Sequence, residues 1–304
     1  MYRFAPFAVI IAASLWGLDG IVLRPSLYAL PVPLVVFIES SIVALILTPF
    51  FIKQIPKIKL LDKIDWLAFF AVAMLGGALG TMTITKALFY VNFVNLSVVI
   101  LIQKLQPAFA ILLASLLLKE KLPKIFYLWA GIAIVGAYIM TFGANLPIFT
   151  TGDKTAIAAV FSLIAAFSFG SSTVFSKRAL RNVGFELGTY LRFLISSIIM
   201  LVIVLSLSQI GSISNVTNHQ WLIFLIIAFT TGGAAIFLYY YGLKSIPASI
   251  SAICELAFPF TAILLEYFVH GNMLDAIQWF GVVMLFAGMI KVSQIKIGNN
   301  EKSN

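Results

Sequence analysis

The stretch Leu15-Trp16-Gly17 decides the fold, because its surroundings are repeated around Ser168-Phe169-Gly170, where Gly170 lies 153 residues after Gly17. Later landmarks pair at nearly the same offset: Gly77 with Gly232 at 155, and Pro107 with Pro259 at 152. Each copy carries five apolar stretches. Because five is an odd number, the second copy is expected to enter a membrane in the opposite orientation to the first, as an inverted repeat.

Composition places this 304-residue chain among polytopic membrane proteins, since 62% of its residues are apolar, 10% are charged and the mean hydropathy is +1.07. A helix needs about 20 apolar residues to cross the hydrocarbon layer. We therefore predict an all-α membrane protein with ten transmembrane helices as two inverted-topology five-helix repeats. The predicted spans are 5–23, 33–52, 65–89, 94–118, 125–144, 155–177, 186–207, 220–243, 248–269 and 275–293.

The repeats are expected to cover 1–147 and 148–294, followed by a polar cytosolic tail, 295–304. The net charge of +9 lies almost entirely in alternate loops, and the predicted outer loops hold only Arg24 and Lys154. The positive-inside rule then predicts a cell-membrane protein with both termini in the cytoplasm. The same asymmetry accounts for the basic charge without a nucleic-acid partner.

Metal and nucleotide chemistry are not expected. Cys254, His219 and His270 do not form a metal-ligand pattern, so neither a metal nor another cofactor is predicted. The chain lacks a phosphate-binding G-x-x-x-x-G-K-S/T loop. An intramembrane enzyme would need a second aspartate or a histidine to complete a set with Asp19, and a membrane scaffold would leave the repeat unexplained. We therefore expect a protein that is not an enzyme.

Several landmarks resemble the drug/metabolite transporter superfamily, in particular its EamA branch. They are Ala13-Ser14-Leu15-Trp16-Gly17, Gln106-Pro107-Ala108-Phe109-Ala110, Lys119-Glu120-Lys121-Leu122 and Leu191-Arg192-Phe193. The resemblance implies a basket of ten helices around a central cavity, lined by the first, third, fourth, sixth, eighth and ninth helices. It also implies export of amino acids or other small metabolites. The chain departs from the family pattern at Glu39, where Arg is common, and at Gln106, where Glu is frequent.

Two opposite charges lie deepest in the predicted spans. Lys104 and Glu255 fall about 12 to 15 Å below the membrane surface at about 1.5 Å per helical residue. Gln103 aligns with Glu255 in the repeat, and each precedes by four residues a proline, Pro107 or Pro259, that we expect to act as a hinge. One hypothesis is that Lys104 and Glu255 bind a solute, with Glu255 also a candidate proton carrier. The alternative is a salt bridge between them that only braces the two repeats.

Further polar and aromatic residues extend the predicted site. The substrate-binding set is completed by Trp16, Asp19, Tyr239, Tyr240, Ser168 and Ser171, and possible gate or coupling residues are Glu39, Lys86, Arg192 and Glu266. Asp19, Glu39 and Lys86 fall at outer helix ends, where a neutralised structural cluster is the alternative to a gate. Arg192 is placed at the inner mouth, where anchoring to lipid phosphate is the alternative to attracting solute.

These features predict a secondary transporter that moves small metabolites by alternating access through a central cavity. The mixed charges favour export of amino acids or related zwitterionic or neutral compounds. A sugar-nucleotide or phosphate-ester exchanger is the second choice, because it would need a more basic lining. The expected partners are a small solute, the lipid bilayer and, as a candidate coupling ion, the proton. A monomer is compatible with the sequence, which leaves the oligomeric state open.

Overall fold

The chain folds into a bundle of apolar helices. The computed structural model describes residues 4–90, 99, 102–144, 153–270 and 274–295, and these contain helices and turns but no strand. The membrane segments are α1 Ala5–Leu18, α2 Val32–Phe51, α3a Lys63–Val72 with α3b Gly80–Tyr90, α4 Gln106–Leu117, α5 Lys124–Phe142, α6 Asp153–Ala179, α7 Phe185–Ser206, α8a Asn218–Phe229 with α8b Gly233–Ser245, α9a Ala248–Cys254 with α9b Ala257–His270, and α10 Ala276–Ser293.

The predicted all-helical, ten-segment architecture is confirmed. Among the described residues, nine segments are long and apolar enough to cross a membrane, and α4 is a shorter apolar helix. The residues predicted to begin the fourth span, from 94 onward, lie largely outside the described ranges. Large side chains such as Leu45, Leu116 and Phe268 are exposed, as expected where a helix faces lipid.

Three helices begin at capping boxes that the local sequence encodes. Asp62, Thr217 and Asp275 each accept a hydrogen bond from the backbone N–H three residues later, and the side chain at that later position accepts one in return. Each box satisfies two backbone N–H groups that the first helical turn leaves without a partner. The starts of α3a, α8a and α10 are thereby fixed.

Several segments are interrupted inside the bundle. A π-helical turn, Ala73–Leu79, joins α3a to α3b, and the repeat offset of 155 places its counterpart over the break between α8a and α8b. Pro107 lies in the first turn of α4, and Pro259 lies in the first turn of α9b. A proline is tolerated in a first turn because its missing N–H has no helical partner there. Both prolines thus follow a turn, and their action as hinges stays a prediction.

The helix contacts are the same when each segment of the first repeat is replaced by its counterpart in the second repeat, and the reverse. α1 packs on α8b and α9b as α6 packs on α3b and α4, whereas α2 pairs with α7 and α5 pairs with α10. The paired glycines show this at atomic scale. A Cβ added to Gly17 would lie 2.8 Å from the Phe258 carbonyl oxygen, and one added to Gly170 would lie 2.7 Å from that of Gln106. The exchange agrees with the repeat, whose boundaries at 147 and 148 stay a prediction.

We expect Gly170→Ala to destabilise the fold, because its Cβ would press on the backbone of α4. Overpacking of this kind costs about 1–3 kcal/mol. Gly131→Ala is the matched control, since nothing lies within 4 Å of a Cβ at that position. Thermal unfolding of the two purified variants in detergent should show a lower midpoint for Gly170→Ala alone. Equal midpoints would contradict a close α4–α6 crossing.

Candidate functional site

A buried carboxylate, Glu255, occupies the turn between α9a and α9b, and its residue is 9% exposed. Its Oε1 accepts hydrogen bonds from the Tyr239 hydroxyl at 2.8 Å, the Thr173 hydroxyl at 3.1 Å and the Ser251 hydroxyl at 3.2 Å. Its Oε2 accepts one from the Gln106 amide at 3.3 Å. The donors come from α8b, α6, α9a and α4, so the carboxylate ties four segments together.

The break in α9 makes this arrangement possible. Ser251 lies one helical turn before Glu255 and so points along the same face. Leu256 donates its N–H to the carbonyl of Ile253, a tight turn that ends α9a before α9b begins at Ala257. Leu105 does the same to Ile102 before α4. A turn from each sequence copy therefore lies beside the contact between Gln106 and Glu255.

The structure does not support a salt bridge between Lys104 and Glu255. The partners of Glu255 are hydroxyl and amide groups, and Lys104 has no hydrogen-bond or ion-pair partner among the described residues. The Gln103 amide nitrogen is also buried without a partner. Gln106, which the sequence marked only as a departure from the family, is the α4 residue that reaches the carboxylate. The Gln103 amide and the Lys104 ammonium, just before α4, thus both lack a partner in the ranges that the structure describes.

Aromatic side chains form one wall beside this cluster. The rings of Trp16 and Tyr239 lie 5.2 Å apart between centroids, and those of Tyr239 and Tyr240 lie 5.9 Å apart. The Arg192 guanidinium stands 5.5 Å from the centre of the Tyr240 ring, and the Tyr240 hydroxyl is 3.1 Å from that of Ser176. Arg192 therefore points into the bundle, in contrast to the alternative of lipid anchoring. The structure brings all four of these predicted residues together.

The predicted serines of α6 do not contact Glu255. Ser171 donates to the Phe167 carbonyl at 2.6 Å, a bond within its own helix. The Ser168 hydroxyl is buried and has no partner among the described residues. The α6 residue that reaches the site is Thr173, which the sequence reasoning missed because no repeat or motif marks it. A hydroxyl donor on α6 was expected, but two to five residues earlier.

A second charged cluster lies at the far end of α1. Arg24 Nη2 is 2.5 Å from Asp19 Oδ2 and 3.3 Å from Glu39 Oε1, and the Thr231 hydroxyl donates to Asp19 at 3.3 Å. Asp19 is therefore held by an arginine, and its predicted contact with the solute stays a prediction. The sequence placed Arg24 in an outer loop and so missed the cation of this cluster.

Lys86 stands apart from that cluster, which corrects the predicted grouping with Asp19 and Glu39. Its Nζ lies 5.7 Å from the centre of the Phe161 ring, and the side chain is exposed. The side chain of Glu266, the remaining predicted coupling residue, lies outside the described part of the chain. The outer gate predicted from Asp19, Glu39 and Lys86 stays a prediction, and the ion pairs observed there join Asp19 and Glu39 to Arg24.

Polar contacts also join the segments at the opposite end of the bundle. Arg178 at the end of α6 pairs with Asp65, and with Asp62 at 3.2 Å, at the start of α3a. A hydrogen bond from the Asp65 backbone N–H lowers the pKa of Asp62, and Arg178 adds to the effect. Glu120 accepts hydrogen bonds from the backbone N–H groups of Ala248, at 2.7 Å, and Ser249, at 3.1 Å. Glu255 thus lies between two sets of polar contacts between segments.

We expect Arg24→Ala to destabilise the protein, because it leaves the carboxylates of Asp19 and Glu39 without their cation. Loss of one partner from a buried pair costs about 3–5 kcal/mol, and the partly exposed Arg24 should give the lower figure. Added Asp19→Asn and Glu39→Gln changes should recover much of the loss. The control is Arg181→Ala, an exposed arginine outside the ion pairs of the described residues. Equal unfolding midpoints for Arg24→Ala and Arg181→Ala in detergent would refute the cluster's role.

Comparison with known proteins adds a family and a fold. The model of the EamA-like transporter family matches residues 3–142 and 156–294. The chain is 47% identical over 288 residues to the riboflavin transporter ImpX of Fusobacterium nucleatum subsp. nucleatum, covering 94% of this chain and 96% of that protein. An uncharacterized transporter of Synechocystis sp. is 26% identical over 243 residues, covering 78% of this chain and 68% of that one. A solved crystal structure superposes with a TM-score of 0.75 at 15% identity, covering 95% of this chain and 98% of its own.

Proposed function

This chain belongs to the EamA-like transporter family, and on that premise we propose that it carries riboflavin across the membrane by alternating access. Family membership makes it a membrane transporter of a small solute and not an enzyme. Support for the solute comes from the riboflavin transporter that is 47% identical over nearly the full length of both chains.

The chemistry around Glu255 suits such a molecule. Riboflavin has no net charge at neutral pH, a flat isoalloxazine ring with a hydrogen-bonding edge, and a hydroxylated side chain. The rings of Trp16 and Tyr239 offer an aromatic surface, and aromatic pairs prefer offset or edge-to-face contacts. Gln103 and Lys104, whose nitrogens have no partner among the described residues, would supply donors for the ring carbonyls. The buried carboxylate held by neutral donors beside an aromatic wall is the observation that carries the proposal.

The sequence favoured amino acids or related zwitterions, and these become the competing solutes. Lys104 and Glu255 would match the carboxylate and ammonium of an amino acid, but the ammonium would have to displace hydroxyl donors that already occupy Glu255. A phosphate ester would need more cations than Lys104 and Arg192 provide here. A neutral, aromatic solute could bind beside Glu255 without an ammonium group that replaces these hydroxyl donors and without additional cations.

We also propose that Glu255 carries a proton during transport. A carboxylate whose partners are hydroxyl and amide groups can take up a proton without breaking an ion pair. Release of that proton would depend on the surrounding donors, which move when α8b and α9a separate. Solute and proton would then bind at the same site. In alternating access, a change of conformation that exposes this site to the other side of the membrane would carry both.

Uptake of radiolabelled riboflavin into vesicles that contain the purified protein tests both proposals. We expect saturable uptake in the wild type, about tenfold weaker apparent affinity in Trp16→Ala because the ring contact is lost, and a severalfold response to a pH gradient that Glu255→Gln abolishes. Glu186→Gln, a carboxylate outside the site, should behave as the wild type. Saturable uptake of an amino acid without any riboflavin uptake would overturn the solute assignment. A pH response that persists in Glu255→Gln would exclude this carboxylate as the carrier.

We further propose that both termini face the cytoplasm, as the distribution of lysine and arginine predicts. Cys254 is buried and is the one cysteine of the sequence, so a Cys254→Ser background suits cysteine labelling. Lys59→Cys and Lys154→Cys should then react with an impermeant maleimide from opposite sides of sealed cells. Labelling of both from the same side would contradict the inverted repeat itself.

A further inference from the structure

An apolar groove of about 410 Å³ runs between α4 and α5 on the outside of the bundle. Its walls are formed by Ala108, Ile111, Leu112 and Ser115 of α4 and by Tyr127, Ala130, Gly131 and Ile134 of α5. Gly131 keeps the groove open, since nothing lies within 4 Å of a Cβ at that position. Leu112 and Tyr127 are more than half exposed. The groove therefore opens toward the surrounding lipid.

Three lysines follow the end of α4 or begin α5, just beyond one end of the groove, and form what we call its rim. Lys119, Lys121 and Lys124 are exposed, and none of them has a hydrogen-bond or ion-pair partner in the part of the chain that the structure describes. Lys124 lies three residues before Tyr127, so the stripe of α5 that lines the groove ends in a cation. Lys119 lies four residues after Ser115, just beyond the end of α4.

The loop that carries these lysines is held in place from inside the bundle. Glu120 accepts three hydrogen bonds from α9a: two from backbone N–H groups and one, at 2.6 Å, from the hydroxyl of Ser249. The carboxylate of Glu120 is thus hydrogen-bonded to α9a, whereas the side chains of Lys119 and Lys121 are exposed. A rigid rim loses less entropy when it binds an anion than a mobile one would.

We infer that this groove and its rim bind one anionic phospholipid, with an acyl chain along the groove and the headgroup phosphate at Lys119, Lys121 and Lys124. From Lys124 to Ile134 the helix rises about 15 Å, which is half of the hydrocarbon layer of about 30 Å. The groove thus spans one leaflet. A second copy of the chain fits less well, because a twofold contact through the groove would bring the two lysine rims together.

The test compares lipid retention by native mass spectrometry on the full chain, taken from nanodiscs that contain equal parts phosphatidylglycerol and phosphatidylcholine. We expect the wild type to retain phosphatidylglycerol at least about tenfold more than phosphatidylcholine, since each lysine contributes about fivefold near a membrane surface. Lys119→Gln with Lys121→Gln and Lys124→Gln should abolish the preference. Lys57→Gln with Lys59→Gln and Lys63→Gln removes the same charge from the α2–α3 region and should preserve it.

Groove variants separate a site from general attraction to charge. Gly131→Phe fills the groove and should release the phosphatidylglycerol, whereas Leu45→Phe, at an exposed position on α2, should not. Ser115→Trp blocks the opposite wall and serves as a second variant if Gly131→Phe folds poorly. Equal retention of both lipids by the wild type, a preference that survives the triple rim variant, or retention unchanged in both groove variants would overturn the inference. The inference would also be overturned if the wild type formed a dimer without bound lipid and Gly131→Phe converted that dimer to monomers. None of these outcomes depends on which solute is transported.

Discussion

An ionised group inside the hydrocarbon layer must be compensated by the protein, and this constraint organises the whole bundle. Glu255 meets it through hydroxyl and amide donors from four segments. Asp19 and Glu39 meet it through Arg24. In both clusters the partners of the carboxylates come from residues that are far apart in sequence. The contacts therefore form only when the helices pack in this arrangement, and they help to stabilise it. The two solutions differ in kind: Glu255 is held by neutral donors, whereas Asp19 and Glu39 are held by a cation.

Close glycine crossings place the broken helices where compensation is possible. Gly17 lets α1 approach α9b, and Gly170 lets α6 approach α4, each against the backbone carbonyl of the equivalent residue in the other copy. The turns before Pro107 and Pro259 therefore come together, and Gln106 reaches Glu255. A repeated sequence yields a repeated contact, but only one copy supplies the carboxylate. The central site is consequently asymmetric within a nearly symmetric frame.

This asymmetry bears on the solute. A site built on an ion pair would favour a zwitterion, whereas a carboxylate surrounded by neutral donors and an aromatic wall accepts an uncharged, flat molecule at less electrostatic cost. The riboflavin transporter of Fusobacterium nucleatum provides the specific candidate. The proposed lipid groove lies outside the bundle, and Glu120 links the loop beside it to α9a, the helix that ends just before Glu255.

The sequence by itself determined the number of segments, the offset between the copies and the deep position of Glu255, because hydropathy and repetition are properties of neighbours along a chain. It also predicted Trp16 and Tyr239 as site residues, and the structure brings their rings together. Only the tertiary structure decided which donors reach the carboxylate: Thr173 carries no sequence signal, Gln106 was marked only as a departure from the family pattern, and Lys104 does not form the pair that its depth suggested. The reason is geometric, since the rotation of each helix about its axis selects the partner of a buried charge, and packing against distant segments sets that rotation.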